Sequence, residues 1–101
     1  MQKLPSMRAL QAFEAFGRLG SATAAAAELG VTVGAISQQL RLLEDTLGCS
    51  LTYKEGKRLR LTAAGVELGP YARQMLRLND DIIAHFAEES LSGWIKVGLP
   101  T

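Results

Sequence analysis

The stretch SATAAAAELGVTVGAISQQLR, residues 21–41, holds two short helical patterns separated by one glycine. Ser21 stands where a helix N-cap belongs, ahead of the alanine run 24–27 and Leu29, and Gly30 stands where that helix must stop. Thr32 repeats the capping arrangement for a second helix from about Val33 to Leu47, closed by Gly48. Ala26, Gly30 and Ile36 fall four and then six residues apart. That spacing suits two helices crossing through a tight turn. It puts a small residue where they touch, a glycine tolerant of positive φ in the turn, and an aliphatic on the inner face of the second helix. Leu29 and Val31 are expected to be buried beside the turn. A plain helical hairpin inside a larger core would show the same spacing.

Upstream, Ser6 can cap a helix whose apolar positions Leu10, Phe13, Phe16 and Leu19 recur three apart and which ends at Gly20. In the helix after Thr32, the stripe Ile36, Leu40, Leu43 and Leu47 is spaced 4-3-4, so this face is expected to pack inward. Downstream, Leu51-Thr52-Tyr53, a loop from Lys54 to Arg58 and Leu59-Arg60-Leu61 predict a β-hairpin with Gly56 supplying the turn. Three helices followed by a hairpin is the order of a winged helix-turn-helix. From Thr62, a plausible cap, helical spacing persists to about Glu89, roughly 42 Å of helix. Pro70 inside it predicts a kink or a lost hydrogen bond near residues 66–70. Trp94 to Leu99 reads as a strand. The expected fold class is therefore mainly α, a winged helix-turn-helix followed by a long linker helix.

That long helix carries two stripes. Gly65, Gly69, Ala72, Leu76, Asn79, Ile83 and Phe86 follow a heptad rhythm, and Leu68, Tyr71, Met75, Leu78 and Ile82 occupy the adjacent face. A body of some sixty residues offers too little surface to bury both, so one is expected to pack on the winged domain and the other on a second copy of the chain. Ala72, Leu76, Asn79, Ile83 and Phe86 are the expected dimer interface. A polar Asn79 in such a seam would fix register, or would simply be exposed.

The chain has 101 residues, 48% hydrophobic and 21% charged, with a net charge of +1, which reads as a small soluble domain and excludes a disordered or collagen-like chain. No run of 18 apolar residues exists and MQKLPSMRAL has no secretory h-region, so a cytoplasmic protein without membrane contact is expected. One histidine (His85) and one cysteine (Cys49, expected to be a partly buried small hydrophobe) leave little for nucleophilic or metal chemistry. Neither an enzyme nor a bound cofactor is expected. Residues 1–61 carry a net charge of +3 and the remainder −2, so the front half is the basic one.

The outward face of the helix after Thr32 shows Val33, Gly34, Ser37, Gln38 and Arg41. Gln can bond an adenine edge in two places, Arg a guanine edge or a phosphate, and Ser either partner, while Val33 suits a thymine methyl. An ordinary solvated helix face is the other reading. Lys54, Lys57, Arg58 and Arg60 with Glu55 make the hairpin cationic, suited to phosphate contact or to solvent alone. Ser21 and Thr23 can bind phosphate with the free amides of a helix start, or merely cap it.

These residues, together with Leu10 through Phe13, Gly20 to Ala26, Val31-Thr32, Ala35 to Arg41, Leu43-Glu44, Leu47-Gly48, Leu61 to Gly65 and Pro70-Tyr71-Ala72, resemble the N-terminal part of a LysR-type transcriptional regulator over about residues 4–90. The sequence departs from the family pattern at Ala22 (Phe or Leu), Val33 (Gln), Gly34 (Pro or Ser) and Gln38 (often Arg). The resemblance implies a DNA-binding domain at 1–61, a linker helix that pairs subunits at 62–90, and at 91–101 a hinge and the opening strand of an effector-binding domain. It further implies a dimer reading a double-stranded operator through Thr32, Val33, Gly34, Ser37, Gln38 and Arg41, with a small-molecule inducer only in a full-length chain. The alternative is a dimerisation module that forms mixed dimers with full-length regulators.

Overall fold

The computed structural model describes residues 4–91, with side chains through residue 88. Four helices and one hairpin follow in the order α1 (Met7–Leu19), α2 (Ala22–Leu29), α3 (Val33–Leu47), β1 (Thr52–Glu55), β2 (Arg58–Leu61) and α4 (Ala63–Leu91). Each helix starts on a side-chain cap that takes one of the first-turn amides left without an intrahelical partner. Ser6, Ser21, Thr32 and Thr62 accept from the amides of Ala9, Ala24, Ala35 and Gly65 at 3.0–3.1 Å. The turn between α2 and α3 closes on Gly30, whose φ of 69° is left-handed, while the Val31 amide reaches back to the Ala26 carbonyl at 3.0 Å.

α1 is the central helix and packs on α2, α3 and α4. Its Leu10, Phe13 and Phe16 meet Ala25 and Ala26 of α2, Ile36, Leu40 and Leu43 of α3, Leu51 before the hairpin, and Ala72 of α4 in one cluster. Burying each of the larger side chains stabilises the fold by about 1.5–3 kcal/mol. No polar or charged side chain is buried among the described residues, so every ionisable group there is left at the surface.

Three side chains expected inside are outside. Leu47 is exposed because α3 ends at Gly48 and nothing covers its last turn. Val31 is exposed because the turn at Gly30 carries it away from the cluster. Cys49 is exposed in the short loop that follows α3.

The hairpin is tighter than the sequence predicts. The pairs Thr52↔Leu61, Tyr53↔Arg60, Lys54↔Leu59 and Glu55↔Arg58 leave only Gly56-Lys57 as the turn. A positive φ of 65° at Gly56 gives the twist that a two-residue connection requires, so the strands run on through Lys54 and Arg58. Leu59 and Leu61 turn inward and Arg58 and Arg60 outward. Both ends are fastened to helices. A Glu44 carboxylate oxygen accepts the Leu51 and Thr52 amides at 2.8 and 3.2 Å. Thr62 donates its amide to the Leu51 carbonyl at 2.9 Å and its hydroxyl to the Ser50 carbonyl at 2.7 Å.

α4 runs unbroken through Pro70, whose missing N–H leaves the Val66 carbonyl without its intrahelical donor. Its inner face is Gly65 and Ala72, with Ala64, Leu68 and Leu76 partly buried. This takes one residue, Ala72, out of the expected dimer seam, and leaves Asn79, Ile83 and Phe86 exposed. Ala72 is fully buried against its own domain, because glycine and alanine are the side chains that let two backbones approach. It is thus unavailable to a second chain, and Leu76 is half-committed to the same side. The adjacent stripe is the exposed one: Tyr71 (69% exposed), Met75, Leu78 and Ile82 (59%), continued by Ile83 and Phe86. Every residue from Arg77 to Glu88 is exposed, so the far half of α4 projects past the body. His85 and Phe86 meet edge to face, ring centres 5.0 Å apart. The strand expected at Trp94 to Leu99 lies outside the described residues.

Candidate nucleic-acid interface

Burial of Ile36, Leu40 and Leu43 orients α3 and leaves one continuous outer face. Val33, Gly34, Gln38 and Arg41 are exposed on it and Ser37 is partly buried. Val33, Ser37 and Arg41 form one row with a spacing of four, and Gly34 and Gln38 form the next. Asp45 follows one turn beyond Arg41 and puts a negative charge at the far end of the face. These five residues are thus brought together as the sequence predicts. Thr32 differs: its Oγ1 accepts the Ala35 amide, which leaves its hydroxyl hydrogen and one lone pair for an outside partner. Ser21 is engaged in the same way by the Ala24 amide, and Thr23 beside it is exposed.

The hairpin sets its charges on the surface. Lys54, Lys57 and Arg58 are exposed and form no ion pair among the described residues, whereas Arg60 pairs with Glu55 at 3.4 Å. Tyr53, directly across from Arg60, adds an exposed ring. Glu44 ties the start of this hairpin to the flank of α3, which fixes the wing beside that helix. Sequence reasoning missed that role. The only signal was an acidic residue on α3 seven residues ahead of the buried Leu51.

Arg18, in the last turn of α1, is committed elsewhere. It bridges Glu14 of α1, at 2.9 Å, and Glu28 of α2. The two carboxylates raise its already high pKa, and the hydrogen bond from Arg18 holds Glu28 below the ordinary carboxylate range. This triad fastens α1 to α2 and removes Arg18 from the count of cations free to meet an anion.

Among the described residues no group of three or more His, Cys, Asp or Glu is placed to hold a metal ion. No described helix is long and apolar enough to cross a membrane. The chemistry offered is a rigid surface: a helix face of small, amide and guanidinium groups beside a cationic hairpin.

Comparison with known proteins agrees with this geometry. Residues 7–66 match the model of the bacterial regulatory helix-turn-helix proteins of the lysR family. The HTH-type transcriptional regulator TrpI of Pseudomonas aeruginosa is 57% identical over 65 residues, covering 64% of this chain and 22% of that protein. Two solved structures superimpose on the same fold. The CbnR DNA-binding domain in complex with DNA is 30% identical with a TM-score of 0.75, over 84% of this chain and 98% of that one. The BenM DNA-binding domain with catB site 1 DNA is 26% identical with a TM-score of 0.77, over 84% and 94%. The chain spans less than a third of the length of the curated relatives it matches. With a family match over residues 7–66 and a winged helix-turn-helix running into a long helix, the chain belongs to the lysR family of bacterial helix-turn-helix regulators.

Proposed function

We propose that this chain is the DNA-reading part of a dimeric LysR-type regulator acting in the cytoplasm. Its α3 enters the major groove of a double-stranded operator and its wing lies on the adjacent backbone or minor groove. The observation that carries this reading is the outer face of α3, exposed at Val33, Gly34, Gln38 and Arg41, in a fold whose solved relatives hold DNA. In this role Gln38 and Arg41 address base edges or phosphate, and Ser37 either partner. Val33 and Gly34 shape the approach. Thr32 donates its free hydroxyl hydrogen, and Ser21 and Thr23 present the start of α2 to a phosphate. Lys54, Lys57 and Arg58 supply sequence-independent attraction.

Two chains pair through α4. The exposed stripe Tyr71, Met75, Leu78 and Ile82, extended by Ile83 and Phe86, is the apolar surface available for it, with Asn79 at its margin. Pairing sets two copies of α3 on two half-sites. The reading assigns the chain no catalytic step, and it leaves any small-molecule inducer to a longer chain.

Selection of binding sites from a random-sequence duplex pool, with the salt dependence recorded, tests this. Enrichment of a two-fold symmetric site with affinity falling steeply as salt rises is the expected result. Weak binding without an enriched sequence would overturn it. The exposed α4 stripe would then favour the second reading, a dimerisation module that forms mixed dimers with full-length regulators.

A further inference from the structure

Two neighbouring residues at the start of α3 have a composition that the fold itself does not explain. Gly34 is the first. Gly20, Gly30, Gly48 and Gly56 occupy left-handed backbone, and a β-carbon at Gly65 would clash with the Leu51 carbonyl oxygen. Gly34 has neither excuse. Its backbone is helical, and an added β-carbon would meet only the Thr32 hydroxyl at 3.9 Å, an ordinary contact in otherwise open space. Glycine there weakens the helix relative to alanine and gains nothing within the protein. Val33 is the second. It is a β-branched apolar residue left 43% exposed, on the same outer face as Ser37 and Arg41.

Resting on the reading of α3 as the recognition helix, we infer that Val33 and Gly34 form a methyl-reading notch. The Val33 isopropyl group packs on the 5-methyl of a thymine in the major groove. The missing side chain at Gly34 lets the helix come close enough for that contact. Thymine is the one unmodified DNA base whose major-groove edge ends in a methyl group. Val33 meets it with two methyls on a side chain that is stiff at χ1, so little freedom is lost on contact. Gln38, one turn beyond Gly34, is placed to read the next base edge by hydrogen bonds, so the notch adds an apolar element to a polar face.

The test starts from the duplex enriched from the random pool and resynthesises it with deoxyuridine at each thymine in turn, a change that removes only the 5-methyl group. At one thymine in each half-site, uracil should weaken binding about fourfold, the worth of one buried methyl group. In Val33→Ala the same replacement should cost nothing. Gly34→Ala should melt no lower than the parent yet bind roughly tenfold or more weakly, as an added methyl in a close-packed contact demands. Thermal unfolding of Val33→Ala confirms that its fold is intact. If no single thymine is sensitive, or if the uracil penalty is the same in Val33→Ala, Val33 reads no methyl. Binding by Gly34→Ala at full strength would overturn the close approach. A pool that enriches no sequence overturns sequence-specific binding itself, and the notch with it. Enrichment with flat uracil responses overturns the notch alone.

Discussion

Gly65 lies so close to Leu51 that a β-carbon at the first turn of α4 would run into the Leu51 carbonyl oxygen. That same oxygen accepts the Thr62 amide at 2.9 Å, and the Leu51 side chain is buried in the core. The contact joins three elements: the chain leaving α3, the second strand of the wing and the long helix. Gly65→Ala is therefore expected to destabilise the fold by about 1–3 kcal/mol, because backbone rather than a flexible side-chain end must yield. For a domain of this size each kcal/mol lowers the melting temperature by roughly 4–8 °C. A calorimetric scan in which Gly65→Ala melts with the parent would show that α4 does not need this approach.

The triad of Arg18, Glu14 and Glu28 gives the domain an acid sensitivity of definite sign. Glu28 has its pKa lowered in the folded state, first by the hydrogen bond from Arg18, with desolvation opposing. A depressed carboxylate contributes stability that is present above its unfolded pKa and lost as pH falls through the folded value. Urea unfolding of the parent and Glu28→Gln should thus show a difference at neutral pH that shrinks below about pH 4.5. Arg18 and Glu28 are exposed, so the difference should also fall with added salt. A gap between parent and variant that stays constant from pH 7 to pH 3 would rule out Glu28 as its source.

Pairing through α4 is expected to respond to the outer stripe and not the inner one. Leu78→Asp or Ile82→Asp puts a charge into the apolar surface available to a second chain, while both positions are exposed in the single chain. Sedimentation should show monomers with unchanged helicity, and affinity for a two-half-site duplex should collapse toward that of one half-site. An intact dimer in either variant would move the contact to another face.

Much of this was legible in the chain, and the failures have physical causes. Helix starts were readable because caps act locally: Ser6, Ser21, Thr32 and Thr62 each bond an amide three residues on. The outer face of α3 was readable as the complement of Ile36, Leu40 and Leu43. The choice between the two α4 stripes was not, since periodicity weighs both alike. Size decides it. Gly65, against the Leu51 backbone, and the buried Ala72 mark the inner face, while Tyr71, Met75, Leu78 and Ile82 are large and exposed. Wing length depended on one φ, at Gly56. The work of Glu44 depended on amides that only the folded chain brings to it.

Wing and recognition helix should separate cleanly in binding experiments. Lys57 and Arg58 stand in or beside the hairpin turn with no ion pair among the described residues, so their expected service to DNA is charge alone. Replacing either with alanine should weaken all duplexes by a similar factor and reduce the slope of log affinity against log salt by about one. Arg60 should matter less, because Glu55 already neutralises part of its charge. Gln38→Ala should do the opposite, leaving the salt slope unchanged while relaxing preference at one base pair by about 1–3 kcal/mol. The reverse pattern, with the wing variants changing sequence preference and Gln38→Ala changing only the salt slope, would mean that the wing is the reading element and α3 the one that holds the backbone.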